Sequence, residues 1–214
     1  TATSGADAAA AADIVISAVT ADQARVVASG AAAFLRPGQI YLDINSASPN
    51  TKIDSARVID AIGAHFVEGA VMATVPGPGL RVPILGGGRM AVRAAELLNP
   101  LGMNITPVSE ETGRASAMKL CRSIVIKGME ALMIQCKEAS VRWGVEEEVF
   151  ASLAASYPGM NWRDLAVKMR GRVRQHGVRR SAEMREAAEM VAAMGLDDSL
   201  CNGIADVQAA FAGR

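Results

Sequence analysis

The sequence carries no surplus of either charge: 22 Lys and Arg stand against 22 Asp and Glu. That balance removes the bulk electrostatic grip that nucleic acid or an anionic membrane would require, and argues against both as partners. Long apolar runs are also missing, and none approaches the ~18 residues of a membrane span. Cysteine is scarce. Cys121, Cys136 and Cys201 are odd in number and lack metal-ligand spacing, so no metal is expected and free thiols in a reducing cytoplasm fit best. The opening TATSGADAAAAA has neither the basic nor the apolar region of a secretory signal. It reads as the interior of a longer chain.

What is present is a half-hydrophobic chain of 214 residues, enough for one large domain or two modest ones. Its first half alternates strand and helix signals. Asp13–Val19, Ile40–Ile44, His65–Val71, Pro83–Leu85 and Met103–Val108 are short apolar or β-branched runs. Helical segments separate them at Ala21–Leu35, from Pro49 to Gly63, and at Arg89–Leu98, with Ser48-Pro49 as an N-cap and first helical residue. The exception is MATVPGPGLR, residues 72–81, which is loop. Such alternation predicts a doubly wound parallel sheet. After Val108 the strands stop. Helical periodicity then runs from Thr112 to Trp143, followed by shorter helices at about 146–155, 162–175, 177–194 and 199–212. An α/β domain over 1–108 and an all-helical domain over 109–214 are expected.

The long helix carries the most informative residues. Lys119, Arg122, Ser123, Lys127 and Glu130 recur at three- and four-residue steps on one face of an otherwise apolar run, KLCRSIVIKGMEAL. A solvated charged face is the plain explanation. The chemical one is a lysine whose pKa is lowered by neighbouring cations and which accepts a proton near neutral pH. A second polar group, Asp43-Ile44-Asn45-Ser46-Ala47-Ser48-Pro49, follows a strand, where open α/β sheets bind ligands. A strand-to-helix turn needs Ser48 and Pro49 but does not need Asn45 and Ser46. A third group is basic: His176, Arg179 and Arg180 sit at helical positions i, i+3 and i+4 and can face one anion, although Glu183 and Glu186 at the same spacing can neutralise them. His65 starts a buried strand and reads as structural. Gly86-Gly87-Gly88 suggests a phosphate cradle, but it follows a late strand, and residues 1–20 hold no Gly-x-Gly-x-x-Gly.

Gly113-Arg-Ala-Ser-Ala-Met-Lys119-Leu resembles the Gly-x-Gly-x-x-x-Lys-Leu signature of the β-hydroxyacid dehydrogenases, the superfamily of 3-hydroxyisobutyrate and 6-phosphogluconate dehydrogenases. Residues 43–49 resemble that family's Asp-x-Ser-Thr-x-x-Pro element. The basic run HGVRRSAEMREA resembles the helical C-terminal domain of phosphogluconate-dehydrogenase-like oxidoreductases, and this last likeness extends over most of the chain. Departures are visible. Ala115 replaces the second glycine, Ser123 stands where an asparagine is usual, and Ala70-Val71-Met72-Ala73-Thr74 replaces a Pro-Val-Ser-Gly-Gly segment that holds the substrate carboxylate.

The resemblance implies an incomplete Rossmann domain followed by a helical domain, with NAD or NADP across the strand ends. It implies Lys119 as general acid/base on the hydroxyl of a small anionic β-hydroxyacid between the domains. Asn45, Ser46, Arg122, Ser123, His176, Arg179 and Arg180 are then substrate contacts, and Val19, Thr20 and Asn45 border the cofactor. It also implies a homodimer formed through the helical half. The alternatives are a non-catalytic dimerisation or ligand-sensing module that keeps the fold, and an imine reductase, to which a lysine at 119 is less suited.

Overall fold

The computed structural model describes residues 4–214, so the first three residues of the Ala-rich opening lie outside it. The chain divides into two compact units, Thr1–Leu120 and Cys121–Arg214. The first contains α1 (Gly5–Ala10), β1 (Ile14–Ser17), α2 (Ala21–Ala31), β2 (Ile40–Asp43), α3 (Pro49–Ala61), β3 (His65–Val71), β4 (Pro83–Gly87), α4 (Ala91–Leu98) and β5 (Asn104–Ser109). It also holds the start of α5 (Arg114–Trp143).

Strands β2 and β3 are buried on both faces, which is why they read as continuous apolar runs rather than alternating ones. Leu42 and Val67 pack on one side with Ile84 and Ile105, while Tyr41 and Phe66 pack on the other with Ala28 and Ile59. Helices therefore cover both faces of the sheet. Helix α3 starts as its sequence dictates: the Ser48 hydroxyl accepts from the Thr51 amide and Pro49 fills the first position.

The sheet order is β1-β2-β3-β4-β5, with β1, β2 and β3 parallel and β5 parallel to β4. Strand β4 runs antiparallel to β3, which departs from the uniformly parallel sheet the sequence suggested. The cause is the connection. A parallel return needs a crossover, usually a helix, and residues 72–82 supply only a single 3-10 turn at Gly79–Arg81. The chain simply reverses. The sheet stays parallel-rich, and the α/β-then-helical architecture stands.

The second unit holds the rest of α5 with α6 (Glu146–Ser156), α7 (Trp162–Ala193) and α8 (Ser199–Ala210). Met133, Phe150, Ala166 and Met169 form one of its apolar clusters. The sequence suggested a break in α7 at Gly177, yet the helix runs unbroken through it. That glycine is a packing site. A Cβ there would collide with the Gln208 carbonyl and meet the Ala212 Cβ at 2.8 Å, so its absence lets α8 lie against α7.

Candidate functional site

Two loops meet beyond the carboxyl ends of β1 and β2. At the end of β2, Asp43 is fully buried and paired with an equally buried lysine, Lys52 of α3, at 2.9 Å. The Lys52 amine also donates to the Asp43 carbonyl at 2.9 Å, and the Asn45 amide donates to Asp43 Oδ1 at 2.8 Å. A buried ion pair tolerates little displacement of either partner, so this one fixes the turn that carries Asn45 and Ser46. The Asn45 side chain then bridges to β1: its Oδ1 accepts from the Val19 amide, and its Nδ2 donates to Ser17 Oγ at 3.1 Å. Val19 is exposed, and Thr20 follows as the N-cap residue of α2.

Lys119 approaches this loop from the start of α5. Its amine is half-buried and donates to Ser46 Oγ at 2.6 Å. Helix α5 begins against the carboxylate of Glu68, which is fully buried in β3. Glu68 Oε1 accepts from the amides of Gly113 (2.6 Å) and Ala115 (3.0 Å). Its Oε2 accepts from the Ser116 amide (3.2 Å) and the Ser116 hydroxyl (2.6 Å). These amides are the groups a helix start leaves unsatisfied, and they suit an anion.

The glycine run 86–88 serves the same carboxylate. A Cβ on Gly87 would collide with Glu68 Oε1, and one on Gly88, where φ is +110°, would reach the Phe66 carbonyl at 2.9 Å. Acidic Asp60 and Glu110 line the small crevice beside Arg89, which makes it a poor phosphate cradle. His65, at the start of β3, borders that crevice. A larger cavity of about 540 Å³, walled by α1, β1 and α2, takes in none of the sequence-predicted site residues.

The remaining predicted residues belong to the second unit. Arg122 is exposed on α5. Ser123 is buried and accepts from the Lys127 amine at 2.9 Å, and that amine pairs with Glu183 at 2.7 Å. Burial pushes Lys127 below the usual lysine range, with Glu183 opposing the shift. Arg180 grips both oxygens of the buried Glu130, at 2.9 and 2.8 Å, and Gln208 donates to the same carboxylate at 3.1 Å. Arg179 pairs with Glu183 at 2.6 Å, and His176 is half-buried one turn before Arg180. An anion reaching either arginine would have to displace a carboxylate.

The structure thus gathers Val19, Asn45, Ser46 and Lys119, with Thr20 alongside. Sequence reasoning passed over Glu68 and Lys52 as residues that shape this site. The signal for Glu68 was a lone charge inside an apolar strand, HFVEGAV. Among the described residues there is no metal-holding cluster of three or more His, Cys, Asp or Glu, and no helix is long and apolar enough to cross a membrane.

Known proteins share this architecture. A conserved hypothetical protein from Sinorhizobium meliloti 1021 superposes with a TM-score of 0.85 at 42% identity, covering 95% of this chain and 68% of that one. The conserved protein MTH1747, of unknown function but noted for structural similarity with 3-hydroxyacid dehydrogenases, gives 0.80 at 33% identity, covering 98% and 78%. The chain belongs to the 3-hydroxyacid dehydrogenase-like family. At 20% identity, the 3-hydroxyisobutyrate dehydrogenase of Mycobacterium tuberculosis, solved with L-serine, shares the family fold with a TM-score of 0.78 over 98% of this chain and 77% of its own. An imine reductase from Streptomyces aurantiacus shares it more distantly, at 18% identity and a TM-score of 0.59, over 98% of this chain and 77% of its own. Residues 141–211 match a domain of unknown function (DUF1932), which here covers α6, α7 and α8 of this family member. An uncharacterised 28.5 kDa protein of Methanothermus fervidus is 28% identical over 141 residues, and the match spans about half of that relative, 53%.

Proposed function

We propose that the protein is an NAD(P)-dependent oxidoreductase that moves a hydride between the nicotinamide and a small anionic β-hydroxyacid, with Lys119 as general acid/base. The observation that carries this reading is the Lys119 amine held 2.6 Å from the Ser46 hydroxyl, beyond the carboxyl ends of parallel strands. A substrate hydroxyl taking the place of Ser46 Oγ, or bridging to it, would lie within proton-transfer distance of the amine.

The residues around it fit the nicotinamide end of a dinucleotide better than its pyrophosphate. The Val19 amide is already committed to Asn45, and Asp22 in the first turn of α2 disfavours a phosphate at that helix start. Val19, Thr20 and Asn45 would therefore border the carboxamide and ribose. Bound there, the cofactor would supply the hydride acceptor or donor.

The rest of the work falls to the chain itself. Asn45 and Ser46 orient the substrate hydroxyl. Lys119 takes its proton as the alcohol is oxidised and returns it in the reverse direction. For the substrate's anionic group the candidates are Arg122, which is exposed, and Arg179, whose exposed side chain would have to exchange Glu183 for the substrate, whereas Arg180 is held by both oxygens of the buried Glu130. The test is reduction of NAD⁺ and NADP⁺ by the full-length protein with 3-hydroxyisobutyrate, L-serine and 6-phosphogluconate. Turnover with at least one supports the reading, and cofactor binding without turnover on any of them overturns it.

A further inference from the structure

We infer that Glu68 is a positioning residue for Lys119, clamping the start of α5 so that the lysine amine is held on the Ser46 loop. Its catalytic consequence rests on the proposed role of Lys119; its geometry does not.

An ordinary helix is capped locally, by a Ser, Thr, Asp or Asn beside its first turn. Helix α5 is capped from 45 residues away, by a carboxylate projecting from the middle of the sheet. A fully buried carboxylate is costly unless its lone pairs are satisfied, and Glu68 accepts from four donors, all on residues 113–116. The surroundings are built for it. Gly87, across the antiparallel pair from Glu68, has no side chain because the carboxylate occupies that space. Gly113 adopts φ +97° and sits against Pro49 and Ile53 of α3, where a Cβ would meet Ile53 Cδ1 at 3.2 Å. Strands β3 and β4 and helices α3 and α5 converge on one fixed point.

That point determines where Lys119 lies. The lysine follows Ser116, the last clamped residue, by less than one helical turn, too near for the helix to bend in between. On the other flank, Glu68 pairs in register with Asp43 of β2, and Asp43 fixes the turn that carries Ser46. One strand pair therefore sets both ends of the Lys119–Ser46 contact. Loosening Glu68 lets the amine drift from the loop, and a displacement of about 1 Å at a reacting group can cost on the order of a hundredfold in rate.

The experiment is competitive acetylation of the full-length protein with acetic anhydride, read by mass spectrometry, with exposed Lys168 as internal reference. In Glu68→Gln, which keeps the shape but loses the charge and one acceptor, Lys119 acetylation should rise about threefold or more relative to Lys168 as the amine leaves Ser46. Ser116→Ala removes only the hydroxyl donor and should give a smaller rise; it carries the test if Glu68→Gln fails to fold. In hydride transfer, Glu68→Gln should lower kcat about ten- to a hundredfold with cofactor KM within about twofold. It should produce no further loss in a Lys119→Ala background, whereas a general weakening of the fold would reduce the residual rate there as well.

Unchanged Lys119 labelling in the folded variants overturns the inference, as does a Glu68→Gln loss that persists without Lys119. Altered labelling together with an active Lys119→Ala protein leaves the clamp in place and removes the proton-transfer role.

Discussion

The Lys119 amine and the Ser46 hydroxyl lie 2.6 Å apart across 73 residues of sequence, joining the start of α5 to the loop after β2. Both groups are half-buried, so water can replace the lost partner in the free protein, whereas a hydrogen bond that orients the amine in the reacting complex is worth about 1.5–3 kcal/mol there. Ser46→Ala should therefore lower kcat by roughly tenfold or more while leaving the melting temperature nearly unchanged. Steady-state kinetics with a thermal melt checks this. A rise in KM at constant kcat would make Ser46 a binding contact and nothing more.

Arg180 and Glu130 form a bidentate pair with Glu130 fully buried and the arginine side chain 13% exposed. Removing one partner of such a pair strands the other. Arg180→Gln should cost about 3–5 kcal/mol in urea unfolding. Arg179 is 55% exposed at its side chain, so Arg179→Gln should cost no more than about 1 kcal/mol. If Arg179 serves the substrate anion, KM rises about tenfold in that variant. A steady KM for Arg179→Gln removes it from the site.

Two glycines of α7 should respond to alanine with opposite signs. Gly177 has no room for a Cβ against α8, and Gly177→Ala should destabilise by about 1–3 kcal/mol. At Gly171 nothing lies within 4 Å of an added Cβ, and Gly171→Ala should stabilise by up to about 1 kcal/mol through helix propensity. Denaturant midpoints decide it. Equal effects at both sites would contradict the close approach of α7 and α8.

Val125 and Leu132 lie two turns apart on α5 and are 61% and 68% exposed, an apolar stripe of the kind that pairs helices. A homodimer through the helical unit is the expected state. Light scattering at micromolar concentration should give twice the chain mass, and Leu132→Lys should shift it towards one. A parent protein that is already monomeric contradicts this.

Most elements could be read from local pattern because their causes are local. The apolar run His65–Val71 is β3 to the residue, and Ser48-Pro49 marks the start of α3. Strand direction was legible only in the connection: a buried run looks the same either way, whereas the Pro/Gly loop 72–81, visible in the sequence, lacks the helix of a parallel crossover, and β4 turns back. Gly177 misled for a related reason, since propensity cannot tell a helix break from a site of close packing. The basic cluster was visible, but the partner that commits Arg180 lies 50 residues away on another helix. Lys119 stood out as a charge in an apolar helix, whereas Glu68, the same signal in a strand, gained meaning only once β3 and α5 were seen together.

Turnover of full-length Lys119→Ala decides whether this lysine moves the proton. With any β-hydroxyacid that the parent oxidises, the rate of nicotinamide reduction should fall about 10²–10⁴-fold, while the melting temperature and the affinity for the cofactor hold. A Lys119→Ala protein that keeps its rate to within a few-fold of the parent removes Lys119 as the general acid/base.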